Sequence, residues 1–109
     1  MDEHDFRRKS DAALLNLRKR LLELGDAHGF EVEGGGEKLE LLFEEPEETR
    51  FVISPNTAAR QIWISALSTS FKLGWSDSAD VFVHDKTGET LSQVMGRILT
   101  QQLGFAVEV

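Results

Sequence analysis

The fold class predicted is α+β: a two-layer sandwich in which an N-terminal and a C-terminal helix pack on one face of an antiparallel sheet of about six strands. Apolar residues recur at helical spacing near both ends of the chain, over residues 4–24 and 91–103. Between them, short segments alternate apolar and polar side chains, the period of a strand. Short turns join these segments, which favours antiparallel neighbours over parallel crossovers. Two helices, each with one buried stripe, cover a single face of such a sheet and leave the other to solvent. The 109 residues form one domain, 1–109, large enough to bury roughly two-thirds of its unfolded surface.

The first helix places Phe6, Ala13, Leu14, Leu17, Leu21 and Leu24 on one stripe, with Asp5 and Glu23 on the far side and Leu15 and Leu22 off the stripe. Arg18, Lys19 and Arg20 lie towards its C-terminus, where cations suit the helix dipole. Gly25 is the expected stop. Phe30–Glu33 and Leu39–Phe43 alternate as strands around a Gly34–Glu37 hairpin loop, so Glu31, Glu33 and Glu40 share the solvent side. Glu44–Glu48 is an acidic, proline-containing turn, and Phe51–Ile53 is a third strand. Ser54–Thr57 is expected to turn the chain.

The strand Arg60–Ala66 is the central one. Ile62 and Ile64 point to the core, Gln61, Trp63 and Ser65 away from it. A tryptophan between a glutamine and a serine on the polar face is expected to be at least partly exposed. Phe71–Trp75 and Val81–Val83 complete the sheet. Thr90, with Gln93 three residues on, makes a capping box for the second helix. Leu91, Val94, Met95, Ile98 and Leu99 are its apolar stripe, and Gly104 ends it.

The net charge of −7 is unevenly spread. Residues 1–49 carry 14 acids and 7 bases, residues 50–109 five of each. Ten acids fall within Glu23–Glu48 against Lys38 alone. Such a region repels phosphate backbones and attracts cations or basic partners. Nucleic acid is therefore excluded as a partner. No apolar run approaches the ~18 residues of a membrane span and no signal-peptide core precedes the first helix, so a cytoplasmic protein is expected.

Cysteine is absent, which removes disulfides, thiolate catalysis and any iron–sulfur cluster or zinc held by the chain's own thiolates. His4, His28 and His84 have neither metal-ligand spacing nor a paired nucleophile and are expected at the surface. Gly34–Gly36 opens no helix and lacks a lysine, so it is no phosphate cradle. Asp85–Gly88 is a turn. Glu31 and Glu33 lie about 6.6 Å apart on one strand face. Oxygen-only ligands suit hard cations, and an open carboxylate set binds them weakly and without selectivity.

Gln61-Ile62-Trp63, Phe71–Trp75 and His84-Asp85-Lys86-Thr87-Gly88-Glu89-Thr90-Leu91 together resemble the frataxin family in its bacterial branch. The resemblance runs through much of the second half of the chain, and length and element order agree. It implies an acidic ridge on the first helix and first strand that binds ferrous or ferric iron weakly, here through Glu3, Asp5, Glu23, Asp26, Glu31 and Glu33. It also implies docking on a cysteine desulfurase and its scaffold protein to modulate iron–sulfur cluster assembly. Trp63, Gln61, Glu31, Glu33 and Lys72 are the partner-binding residues on this view. A monomer is expected, with iron-dependent oligomers as the alternative state. Arg18 and Lys19 stand where bacterial relatives often carry acids, Lys19 four residues before Glu23 and near enough to offset it.

Two other functions compete. An iron-oxidising or iron-storing enzyme would use the same carboxylates, but dinuclear iron sites take inward-facing carboxylates and histidines on bundle helices. A sheet-based RNA reader would use Trp63 for stacking, which the charge opposes.

Overall fold

The computed structural model describes all residues, 1–109, as two helices around a six-stranded meander: α1 (Glu3–His28), β1 (Glu31–Gly34), β2 (Leu39–Phe43), β3 (Thr49–Asn56), β4 (Gln61–Ala66), β5 (Thr69–Ser76), β6 (Val81–His84) and α2 (Leu91–Leu103). The strands lie in sequence order, each antiparallel to the next. One apolar core of 23 buried residues joins the helix stripes to the inner face of the sheet. Phe6, Leu14, Leu17, Leu21, Leu41, Phe43, Ile62, Ile64, Leu91, Val94, Ile98 and Leu99 all belong to it, so the helical and strand phases deduced from spacing hold. No helix is long and apolar enough to cross a membrane.

Three local expectations are corrected. Gly25 does not stop α1; it is buried inside the helix, which runs on to a left-handed Gly29 cap. A Cβ on Gly25 would sit 2.5 Å from the Phe30 carbonyl oxygen, so the glycine is there for close approach of the first strand. The Ser54–Thr57 turn also moves. Ser54, Pro55 and Asn56 continue β3, opposite Trp63, Ile62 and Gln61, and the chain reverses over residues 57–60. A proline pairs there because half the positions of an antiparallel strand need no N–H donor towards a given neighbour.

The third correction is His84, which is buried rather than exposed. Its ring lies 5.5 Å from that of Phe71, and Nδ1 is 3.0 Å from Thr87 Oγ1. The Thr87 hydroxyl donates to Glu89, which Arg97 grips with two N–H groups at 2.9 and 3.0 Å. The Arg97 hydrogen bonds hold the Glu89 carboxyl below its usual range, and Thr87 adds to the effect. This cluster ties the last strand to α2. The Thr90–Gln93 capping box and the Gly104 cap bound that helix as predicted.

Candidate functional site on the outer sheet face

Both helices cover the inner face, so the outer face carries the side chains available to a partner. At its centre lie β4 and β5. Alternation sends Gln61, Trp63 and Ser65 outward, and the register sets Ser54 and Lys72 directly opposite Trp63 on either side. Trp63 keeps 37% of its surface open, whereas its strand neighbours Ile62 and Ile64 are at 0% and 1%.

Trp63 is held in place. Its indole N–H donates to Gln61 Oε1 at 2.9 Å, and the Lys72 ammonium lies 4.9 Å from the ring centroid, within cation–π range. The Gln61 amide N–H in turn donates to Asp85 Oδ2 at 3.1 Å. Asp85 follows β6, and its backbone N–H is bonded to the Lys72 carbonyl at 3.1 Å. Three residues from three segments thus fix one aromatic ring. Asp85 was read from the sequence only as part of a turn. The contact spans 24 positions, and no local pattern announces it; only the register of three strands brings it beside Gln61.

The acidic residues do not gather. Glu3 and Asp5 sit at the start of α1, paired with Arg7 at 3.7 Å and Arg8 at 3.2 Å. Glu23 and Asp26 are near its other end, about 30 Å away along a helix that rises 1.5 Å per residue. Glu31 and Glu33 are exposed on β1, with no ion pair. Glu40, opposite Glu33, is neutralised by Lys38 at 3.1 Å and Arg50 at 3.2 Å, and the Lys38 hydrogen bond leads in holding its carboxyl below the ordinary range. The cancellation expected between Lys19 and Glu23 occurs instead at the opposite end of α1. Arg18 reaches across to the Gly34 carbonyl at 3.1 Å, placing a guanidinium between helix and hairpin.

No three histidine or acidic side chains come close enough to cage a metal ion. The donor set suits an exchangeable, oxygen-bound cation at single carboxylates or pairs and does not suit a resident metal. The buried interior contains Ser10 and His84 as its polar residues and no carboxylate. A bundle-type di-iron centre therefore has no inward carboxylate ligands in this fold.

Comparison with known proteins agrees with this architecture. The frataxin-like domain family matches residues 1–105. Among curated relatives, the iron-sulfur cluster assembly protein CyaY of Stutzerimonas stutzeri is 27% identical over 72% of this chain and 69% of its own length. The CyaY protein of Pseudomonas fluorescens is 30% identical over 51% of each. The matched segments thus span about half to two-thirds of those relatives. Among solved structures, frataxin from Psychromonas ingrahamii superposes with a TM-score of 0.76 at 18% identity, covering 99% of this chain and 97% of that one. At that identity the likeness establishes the shared fold. With a family match running almost from end to end and the two-helix, six-strand meander beneath it, this chain belongs to the frataxin-like domain family.

Proposed function

We propose that this chain is an accessory protein of iron–sulfur cluster assembly in the cytoplasm, docking on a cysteine desulfurase and its scaffold protein through the outer sheet face around Trp63. The observation that carries this reading is a half-open tryptophan held rigid by Gln61 and Lys72 on the face that no helix covers. A rigid aromatic at the centre of an open face is the kind of group on which binding energy concentrates. The names of the CyaY relatives support the pathway. The lack of cysteine restricts the chain to assisting proteins that carry persulfide or cluster. The role is read as accessory rather than enzymatic, which the naming of the relatives as assembly proteins supports.

The direct test titrates the purified desulfurase–scaffold complex onto the immobilised chain and follows the rate of cluster formation in parallel. Saturable binding with a changed rate is expected. No binding together with an unchanged rate would remove the proposal.

Iron enters this reading as cargo. Glu3, Asp5, Glu23, Asp26, Glu31 and Glu33 offer only oxygen donors, spread over a long helix and one edge strand. Anaerobic titration with Fe²⁺ is expected to show weak, multiple binding that other divalent ions displace. A single tight site, or spectroscopic evidence of ligation by His28 or His84, contradicts this.

Glu31 and Glu33 lie three strand spacings from Trp63, at least about 14 Å across the sheet, and are further offset along the strands. That exceeds the screening length of ~8 Å at physiological salt. Their part in docking is therefore steering. Reversing both to lysine should slow association several-fold at low salt and flatten its salt dependence, while dissociation stays nearly constant. Binding kinetics at two ionic strengths read both quantities, and a change confined to dissociation would place these carboxylates in direct contact with the partner.

A further inference from the structure

We propose that Asp85 is a positioning residue of the docking face, acting through Gln61 to set the orientation of the Trp63 indole. This deepens the docking reading and rests on it. The chemistry of the three groups forces one arrangement. An indole N–H can only donate, and a carboxylate can only accept. The amide between them has one end of each kind. Its NH₂ must therefore face Asp85 Oδ2, at 3.1 Å, and its oxygen must face Trp63 Nε1, at 2.9 Å. The indole N–H and Asp85 thereby demand the same amide orientation, and the carboxylate anchors the end of the amide remote from the ring. Without the carboxylate the indole N–H alone holds the amide, whose other end is then free, so the oxygen is no longer fixed against the ring.

A second feature is independent of these hydrogen bonds. Gly74 stands directly opposite Gln61 on β5. A Cβ at this position would lie 3.6 Å from Asp85 Oδ1, in ordinary contact, and a larger side chain would occupy the space the carboxylate uses. The glycine is not required by its backbone conformation, because its φ is not among the positive values of this chain. Its place on the outer face is explained by the room it leaves for Asp85 beside Gln61. The Asp85 backbone bond to Lys72 then couples the same residue to the strand that supplies the cation over the ring.

Spectroscopy tests the assignment without a partner. The Trp63 indole ¹H–¹⁵N resonance, identified by its loss in Trp63→Ala, should shift and broaden in Asp85→Ala and in Gly74→Val. It should stay near its original position in Asp85→Asn, whose side-chain oxygen still accepts. With the purified desulfurase–scaffold complex, Asp85→Ala should weaken binding about three- to tenfold, the scale of one lost hydrogen bond. Asp85→Asn should bind nearly as the unaltered chain does. In a Gln61→Ala background, Asp85→Ala should have no further effect, because the route through the amide is already cut.

An unmoved indole resonance in both Asp85→Ala and Gly74→Val overturns the inference. So does equal weakening by Asp85→Ala and Asp85→Asn, which would mean that the carboxylate charge meets the partner directly. The parent reading fails separately. If Trp63→Ala binds as tightly as the unaltered chain, the docking face is wrong, whatever the indole resonance does. If Trp63→Ala weakens binding and Asp85→Ala does not, only the positioning role is lost.

Discussion

Replacing Ile64 by alanine is expected to destabilise the fold by about 2–5 kcal/mol, the range for truncating a large aliphatic side chain in a packed core. Ile64 is 1% exposed, in the middle of β4, and its direct cross-strand neighbours are Ile53 and Phe71, both buried. All three backbones are tied into hydrogen-bonded ladders, so the walls of the resulting void cannot close in. Removing three carbons there costs their transfer energy plus most of the cavity term. In a domain of this size the melting temperature should fall by roughly 10 °C or more. Urea unfolding gives the free energy directly. Leu15→Ala serves as the control, since Leu15 is 53% exposed on α1 and should change stability by less than about 0.5 kcal/mol. A loss below about 1 kcal/mol at Ile64 would show that the phase of β4 is reversed. Because a slip of one residue moves every side chain to the opposite face, that result would also turn Trp63 inward.

The phase of β4 was legible because its alternation is strict and its two isoleucines leave one choice of core face. The helices were legible for a similar reason: Phe6 to Leu24 and Leu91 to Leu99 each trace one apolar stripe, and the Thr90–Gln93 box marks a start by its own chemistry. Glycine and proline were less informative. Gly25 looked like a terminator, yet its missing Cβ serves the passage of Phe30. Pro55 looked like a turn former, yet it sits in a strand position that pairs with Ile62. The β4–β5 reversal falls between two strands that alternation marks, but no turn residue announced its two-residue length. Leu67 and Ser68 form its two-residue loop with φ of 55° and 59°, values that ordinarily call for glycine or asparagine. A local rule fails there because the strands on either side impose the turn. The site followed the same division. Gln61, Trp63 and Lys72 fell on one face by alternation alone. Asp85 did not, because its contact with Gln61 depends on the register of β4, β5 and β6 taken together. The acidic ridge was least legible. A count of carboxylates cannot show that Arg7 and Arg8 engage two of them, or that Lys38 and Arg50 neutralise a third.

Trp63→Ala is expected to separate binding from folding. The indole retains 37% of its surface, so its removal opens no cavity in the core. It does forfeit the cation–π contact with Lys72, about 0.5–1 kcal/mol at an exposed site. It also gives up the bond to Gln61, about 1 kcal/mol net. The folding cost is therefore about 1–2 kcal/mol, larger than for a freely exposed side chain and smaller than for Ile64. Partner affinity should fall by ~2 kcal/mol or more, about 30-fold, if the ring is the anchor of the interface. Most of the change should appear as faster dissociation, since a buried anchor holds the complex while outlying charges govern the encounter. Glu31→Lys with Glu33→Lys should produce the converse pattern, so the two sets of variants together assign anchor and steering to different parts of one face. Affinity is to be measured well below the melting temperature of the variant, with the folded fraction checked by circular dichroism. A variant that melts far earlier while its folded fraction binds with unchanged affinity would make Trp63 a structural residue. The docking face would then have to be sought away from β4.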